Sequence, residues 1–308
     1  MKKIFVHFSG IDEIDIRQTI TSCLENALYP ERISFGILTQ YQQYDRETFS
    51  DIPNLRIAEI SSDEIFGVGI TRQMASLLYV NEDYALQIDA HMIFNKNWDD
   101  KIIKYYDAAK KINDKIILSG YAPSWYRSSE NNIIKTYPNA MPSITIVNDT
   151  VAAKQPIVGL TNSVNAITSD DLVFYEQKAI SYHFIFSEIK ILENFLPDPF
   201  IIYNGDEATL SLRAISRGYR VYMPNEILLW HLDKMNDNFY STQKRWQPSF
   251  LGIQKPKSER EIRIGQTAYQ RVKDIFSGNI LGYYGAESIE DITWYSSYIG
   301  IDFKESFI

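Results

Sequence analysis

The chain has 308 residues, 45% hydrophobic and 23% charged, with a formal net charge of −8 and an isoelectric point near 5.2. That length can bury one large core or two smaller ones, and the acidic balance disfavours a broad basic surface for nucleic acid or anionic membrane. No run of about 18 apolar residues occurs, and Met1-Lys-Lys-Ile-Phe-Val-His7 passes straight into a strand pattern rather than a signal peptide, so a cytoplasmic protein with no membrane partner is expected.

Strand and helix signals alternate through the first 120 residues. Residues 3–8 read as a strand, and residues 15–27 as a helix with Ile16, Ile20, Cys23, Leu24 and Ala27 on one face. Cys23 is the single cysteine, which excludes an intramolecular disulfide and a cysteine-based metal site. Tyr29-Pro30 stops this helix. Residues 33–38 and 55–60 read as strands, and residues 68–79 as a helix with Ile70, Met74, Leu77 and Leu78 as its apolar stripe. A strand through Ala85, Leu86 and Ile88 ends in Asp89-Ala90-His91. Asn97 then caps a helix over residues 98–111, and residues 115–119 form another strand. This alternation predicts an α/β fold with a mostly parallel central sheet flanked by helices, and such sheets bind ligands at the carboxyl ends of their strands.

Asp89 and His91 sit at such an end. Side chains two apart on an extended chain point the same way, so both can face one point in space. A carboxylate oxygen with an imidazole nitrogen suits Mn²⁺, and Mg²⁺ less well. The same three residues also read as a polar strand end with a surface Asp and a partly buried His.

Between residues 120 and 199, mixed aromatic, β-branched and polar segments at 132–137, 143–147 and 179–189 predict antiparallel strands packed beside the main sheet, with Pro138, Pro142 and Pro156 in turns. His7 and His183 lie in apolar strand patterns and read as hydrogen-bonded structural histidines. Residues 206–217 form a helix stopped by Gly218, and a short strand follows that Pro224 ends. Asp206 and Glu207 in its first turn are accounted for by capping and the helix dipole alone. Residues 227–231 bring a second histidine, His231, after another apolar run. Residues 255–271 read as an amphipathic helix with one solvated face.

Asp89-Ala-His91 after a strand, Asp206-Glu207 opening a helix with Arg217-Gly-Tyr219 downstream, and His231 after an apolar run together resemble the metal-dependent GT-A glycosyltransferases. More closely, the chain resembles the cytoplasmic polypeptide hydroxyproline N-acetylglucosaminyltransferases, and more distantly the mucin-type polypeptide N-acetylgalactosaminyltransferases. Further matching pieces are Ala27-Leu-Tyr-Pro-Glu-Arg-Ile33, Gly36-Ile-Leu-Thr-Gln40, Gly67 to Arg72, Asn97-Trp-Asp99, Gly282-Tyr-Tyr-Gly285 and Gly300-Ile-Asp-Phe303. The likeness departs at Ala90, where the family commonly has Ser, and at Asp206, where two Glu are usual. The segment His7-Phe-Ser-Gly-Ile-Asp12 lacks the Ser-Tyr-Arg-Asp pattern of the closer relatives, although Asp12 holds an acidic place there.

The resemblance implies a single GT-A-like glycosyltransferase domain over 1–308. Residues 1–120 would form the nucleotide-sugar half, 121–250 the acceptor and metal-completing half, and 251–308 a helical C-terminal extension. It implies transfer from a UDP-sugar, UDP-GlcNAc first, to a hydroxyl acceptor with retention of configuration. Asp89, His91 and His231 would hold Mn²⁺ or Mg²⁺, and activity would weaken as pH falls through about 6, since both histidines must be neutral to bind. Asp12, Arg72, Asp89 and Trp230 would contact the donor, with a solvated helix charge for Arg72 and a core position for Trp230 as the alternatives. Asp206 or Glu207 would handle the acceptor. That acceptor could be a protein, a glycan or a hydroxymethylated DNA base, as for some phage glycosyltransferases. A catalytically silent nucleotide-sugar-binding protein is the remaining alternative.

Overall fold

The computed structural model describes residues 1–41, 49–61, 67–136, 144–148, 159–163, 172–202, 204–238 and 259–303. Pro138, Pro142 and Pro156 lie outside these residues. The chain begins β1 (Ile4–Ile11), α1 (Ile16–Glu25), β2 (Ile33–Tyr41), β3 (Leu55–Ser61), α2 (Val68–Ser76), β4 (Tyr84–Ile88), β5 (Met92–Phe94), α3 (Trp98–Lys110) and β6 (Ile116–Ser119). Next come β7 (Ser124–Arg127), β8 (Ile133–Lys135), β9 (Ile144–Asn148), β10 (Gly159–Ser163), β11 (Phe174–Gln177), β12 (Phe184–Glu188) and α4 (Ile191–Asn194). The last elements are α5 (Asp206–Ser216), β13 (Arg220–Pro224), β14 (Leu229–Leu232), α6 (Glu259–Phe276) and α7 (Ile289–Ile299).

The main sheet has the order β11-β13-β6-β12-β4-β1-β2-β3. It is mixed rather than mostly parallel, and it is not complete by residue 120. Strands β4, β1, β2 and β3 are parallel neighbours, but β12 runs antiparallel between β4 and β6, and β11 is antiparallel on β13. The expectation of separate antiparallel strands at 179–189 is corrected accordingly. The first four residues of β12 are buried, as a strand inserted into the middle of a sheet requires.

Alternation along β1 fills two cores. Ile4, Val6 and Phe8 face α1 and α3, where Ile16, Ile20, Cys23, Trp98 and Ile102 pack on them. Phe5 faces the other way, into a core with Ala208 and Leu212 of α5, Val272 and Phe276 of α6, and Ile292 and Tyr295 of α7. The helical C-terminal part thus covers one face of the sheet. A second sheet, in the order β5-β14-β7-β8, stands beside the first, and β9 pairs with β10.

Two local expectations are corrected. The apolar stripe expected on α2 is buried only in part: Ile70 is half-buried and Leu78 packs on the second core, but Met74 and Leu77 are exposed, while Gly69, Thr71, Arg72, Ala75 and Ser76 face inward. Small residues let this face approach the sheet and residues 198–202 closely. A Cβ on Gly69 would lie 2.1 Å from the Asp198 carbonyl oxygen, and the Gly69 N–H donates to the Ile201 carbonyl. Asn97 occupies the N-cap position of α3, but in the left-handed region and without a side-chain cap. The buried carboxylate of the next turn is Asp99, which accepts from the N–H groups of Leu28 and Tyr29 at 2.6 and 3.1 Å and from Arg32 Nε at 2.9 Å. Asp99 therefore ties the α1–β2 connection to α3. Asp99→Ala would strand the buried guanidinium of Arg32, and denaturant unfolding is expected to lose about 3–5 kcal/mol.

Candidate active site

Strand β4 ends at Ile88, and the chain crosses from the main sheet to the second sheet through Asp89, Ala90 and His91 before β5 begins. The crossing is a bend at Ala90 and His91, not the extended strand end expected. Thr19 of α1 holds it from below: its Oγ1 donates to the Ala90 carbonyl at 2.8 Å and accepts from the Met92 N–H at 2.9 Å. Strand β14 pairs antiparallel with β5, His231 opposite Met92, which brings its imidazole beside His91. Leu232 N–H also donates to the His91 carbonyl at 3.1 Å.

One ligand atom from each of Asp89, His91 and His231 lies within 4.8 Å of the others. His91 Nε2 and His231 Nε2 are 2.9 Å apart, and His231 Nε2 is 3.4 Å from Asp89 Oδ2. Metal bonds of about 2.1 Å meeting at right angles put neighbouring donor atoms about 3 Å apart. The donor set of two imidazoles and one carboxylate therefore fits a divalent cation in both chemistry and spacing. Burial pushes the His231 imidazole below its ordinary value, with its hydrogen bond to Asp89 pulling the other way. Burial works against ionisation of Asp89, but the His231 hydrogen bond and the Arg72 charge outweigh it and hold the carboxyl far below its usual range.

Arg72 reaches this group from α2. It is only 7% exposed, which removes the solvated-charge reading. Its Nη2 donates to Asp89 Oδ1 at 3.0 Å and its Nη1 to Asp206 Oδ2 at 2.5 Å, while its guanidinium lies 4.0 Å from the centre of the Tyr182 ring. Arg72 is thus the link between the crossing after β4 and the start of α5. Gly205, in the left-handed region with φ of 91°, precedes that start, and a Cβ there would lie 2.6 Å from Val272 Cγ2. Glu207 turns the other way and accepts from the Tyr182 N–H at 2.7 Å.

Asp206 and Glu207 compete for charge. Burial and the neighbouring Asp206 carboxylate push Glu207 up to about 8. Burial raises Asp206 against the pull of Arg72. Arg72 pairs with Asp206, and burial beside that carboxylate favours the protonated form of Glu207. A carboxyl that titrates at 4.5 when unfolded and about 8 when folded stabilises the fold below 4.5 and loses that contribution as pH rises toward 8. Glu207→Gln keeps the Tyr182 contact without the charge. The difference in unfolding free energy between wild type and this variant is expected to shift toward the variant with rising pH, at up to about 1.4 kcal/mol per pH unit. Urea unfolding of metal-free protein at pH 5, 6.5 and 8 measures it.

Two expected donor contacts lie apart from this cluster. Trp230 alternates with His231 along β14 and faces away from it; it is 3% exposed, packs with Ile93, Trp125 and Leu232, and donates from Nε1 to Asn95 Oδ1 at 3.2 Å. The donor-wall expectation for Trp230 is corrected to a core position. Asp12 stands just past β1 with φ of 45°, its N–H donating to the Gln40 carbonyl at 2.9 Å, and is no member of the Asp89–His91–His231 group.

Glu13, Tyr121 and Lys234 also stand at the site and were not singled out by sequence, whereas His183 was read there as a structural histidine. Glu13 Oε2 lies 2.9 Å from His91 Nδ1 and accepts from Lys234 Nζ at 2.7 Å. His183 stacks on His231 with ring centres 4.1 Å apart and 3° between planes, and Tyr121 packs 4.0 Å from its ring. The His183 Nδ1 accepts from the Ala122 N–H at 3.1 Å, so its Nε2 carries the proton and His183 backs the site as a structural histidine. His7 differs from expectation: it is buried, and neither ring nitrogen has a hydrogen-bond partner among the described residues. Lys234 follows His231 by three residues, which is a local signal of a kind; Glu13 has none beyond its place at the carboxyl end of β1.

The family model described as Glycosyltransferase (GlcNAc) matches residues 51–305. No curated protein sequence matches the chain significantly. Among solved structures, GalNAc-T7 with UDP, GalNAc and Mn²⁺ superposes with a TM-score of 0.59 at 12% identity, over 98% of this chain and 56% of that one. The chain thus spans little more than half the length of that structure, and the likeness is one of GT-A fold. S. aureus TarS 1-349 in complex with UDP-GlcNAc gives a TM-score of 0.43 at 12% identity, over 89% of this chain and 73% of that one.

Proposed function

The chain belongs to the glycosyltransferase (GlcNAc) family, and from that membership we propose that it transfers a sugar from a UDP-sugar, UDP-GlcNAc first, to a hydroxyl acceptor with retention of configuration. Asp89, His91 and His231 are the ligands in this reading, with Mn²⁺ preferred over Mg²⁺ because two of the donors are nitrogens. The observation that carries it is the convergence of these three side chains on one point, beside Arg72, at the carboxyl end of a central strand. GalNAc-T7, whose structure was solved with UDP, GalNAc and Mn²⁺, shares the fold and supports the choice of donor class and ion.

A divalent ion held there would neutralise the charge that develops on the departing nucleotide diphosphate. The rest of the work falls to the chain itself. Arg72, engaged by two carboxylates, fixes Asp89 in its ligating position and keeps Asp206 ionised. Glu207, whose protonated form burial and Asp206 favour, is the better placed of the acidic pair to donate a hydrogen bond to a donor or acceptor hydroxyl. Asp12 serves the nucleotide end from the tip of β1. One glycosyltransferase unit spans the chain in this reading, with 1–120 on the donor side, 121–250 on the acceptor side and 251–308 as the helical support. No helix among the described residues is long and apolar enough to cross a membrane.

A panel of UDP-sugars with and without Mn²⁺ tests the proposal. UDP release from UDP-GlcNAc is expected to depend on Mn²⁺, and calorimetry with Mn²⁺ is expected to show UDP binding at least about tenfold tighter than GDP or CDP, a difference of about 1.4 kcal/mol. Release that ignores the metal, or equal affinity for the three nucleotides, would contradict the reading.

A further inference from the structure

Beyond the three ligands, a buried carboxylate stands behind one of them. The Glu13 side chain is 4% exposed, and its Oε2 faces His91 Nδ1 on one side and Lys234 Nζ on the other. An ionised carboxylate only accepts hydrogen bonds, so the imidazole nitrogen 2.9 Å from it must carry a proton. The neutral ring has one N–H, which leaves Nε2 with its lone pair directed toward His231 and Asp89.

We propose that Glu13 is a positioning residue that fixes His91 as its Nδ1–H tautomer and aims the Nε2 lone pair at the cation, with Lys234 locking Glu13 to the segment after β14. This inference rests on the cation site proposed above. Carboxylates behind a ligating imidazole orient the ring and raise its basicity. Here the device also joins separate parts of the chain. Glu13 lies in the turn between β1 and α1, His91 follows β4, and Lys234 follows the ligand His231 by three residues. A second tie runs parallel to it: Arg127 of β7 donates from Nη1 to Asp15 at 2.6 Å and from Nε to Asp237 at 2.8 Å. The β1–α1 turn and the segment 232–238 are thereby clamped together at two points, so Glu13 acts on the placing of both histidines.

Ring ¹⁵N chemical shifts of metal-free wild type test the tautomer without any substitution. His91 is expected as Nδ1–H, and an Nε2–H ring would overturn the inference. Calorimetric titration with Mn²⁺ alone, in the absence of donor, tests the consequence. Glu13→Gln keeps the shape and loses the charge, and is expected to weaken Mn²⁺ binding by about 10–100-fold. Its thermal midpoint in metal-free buffer is expected to fall, because Lys234 loses a buried counter-ion, so the Mn²⁺ affinities are compared at a temperature where both proteins are folded. Equal Mn²⁺ affinity in the two proteins, with or without a lowered midpoint, would mean that Glu13 only packs, and would overturn the inference while leaving the cation site intact. Failure of wild type to bind Mn²⁺ is a different result: it removes the cation site, and the inference with it.

Discussion

Arg72→Met is expected to lower the unfolding free energy of the metal-free protein by about 3–5 kcal/mol at neutral pH, the cost of removing one partner from a buried ionic group. The methionine fills much of the same volume, so the loss is electrostatic rather than a packing defect. Arg72 is the cation shared by Asp89 and Asp206, both largely buried. Without it two carboxylates face one another in a site of low dielectric, and the folded protein must take up a proton to keep them there. Asp206 is the one to take it, since burial already raises it above its ordinary value. A group whose folded value rises further above its unfolded value loses stability as pH rises, so the variant is expected to be nearest to wild type at pH 5 and furthest from it at pH 8. At the proposed cation site Mn²⁺ would supply a substitute positive charge beside Asp89, and it is expected to raise the thermal midpoint of Arg72→Met more than that of wild type. Transfer activity should fall in the variant even at saturating Mn²⁺, because Asp206 is no longer held. A loss under about 1 kcal/mol would instead be the behaviour of a solvated surface pair.

The parts of this molecule that a linear reading reached are those whose signal is local. The apolar run of β4 closed by Asp89 and His91, the apolar run before His231, and the alternation that builds β1, β2 and β3 are all written within a few residues of each other. Helix α2 shows where that reading fails. Its apolar residues Met74 and Leu77 outweigh Arg72 in any periodicity, yet the chain buries Arg72 because two distant carboxylates, Asp89 and Asp206, make burial of its charge tolerable. Strand β12 is the antiparallel strand expected within 179–189, but its place inside the main sheet escapes a linear reading for a related reason. Its partners β4 and β6 lie far back in the chain, and nothing within Phe184–Glu188 states that it inserts between them. Trp230 and His231 separate a family expectation from a geometric one: adjacent side chains on a strand point to opposite faces, so only one of the two can reach the site. Glu13 was invisible because a carboxylate behind a histidine has no sequence spacing to recognise. The turn after β1 and the crossing after β4 meet only in the folded chain.

His231→Ala is expected to raise the Mn²⁺ concentration needed for half-maximal activity by about 100-fold or more. Loss of a residue behind a ligand already costs about 10–100-fold in metal affinity, and loss of the ligand itself removes a bond outright. Asp89 and His91 leave the crossing after β4 together and can supply only two of the positions around the ion. His231 arrives from β14 across the β5 pairing, with Nε2 2.9 Å from His91 Nε2, and closes the set. The alternative, that His231 is a packing residue, has a concrete basis, since its ring stacks face to face on His183. Stability separates the two roles. A side chain still partly open to solvent, with its polar edge turned toward other ligands, contributes modestly to the core, so the midpoint of the metal-free variant is expected within about 4 °C of wild type. The pH profile adds an independent check. Burial keeps His231 neutral below the ordinary imidazole range, and metal binding needs the neutral ring. The acid limb of wild-type activity at limiting Mn²⁺ should therefore lie below pH 6.5 and move to still lower pH as Mn²⁺ is raised, because the ion and protons compete for the same rings. In His231→Ala, excess Mn²⁺ should restore part of the activity, because Asp89 and His91 still offer two donors and the donor diphosphate offers more. Unchanged metal dependence with a midpoint lowered by about 10 °C would assign His231 to the core and leave Asp89 and His91 without a third protein ligand.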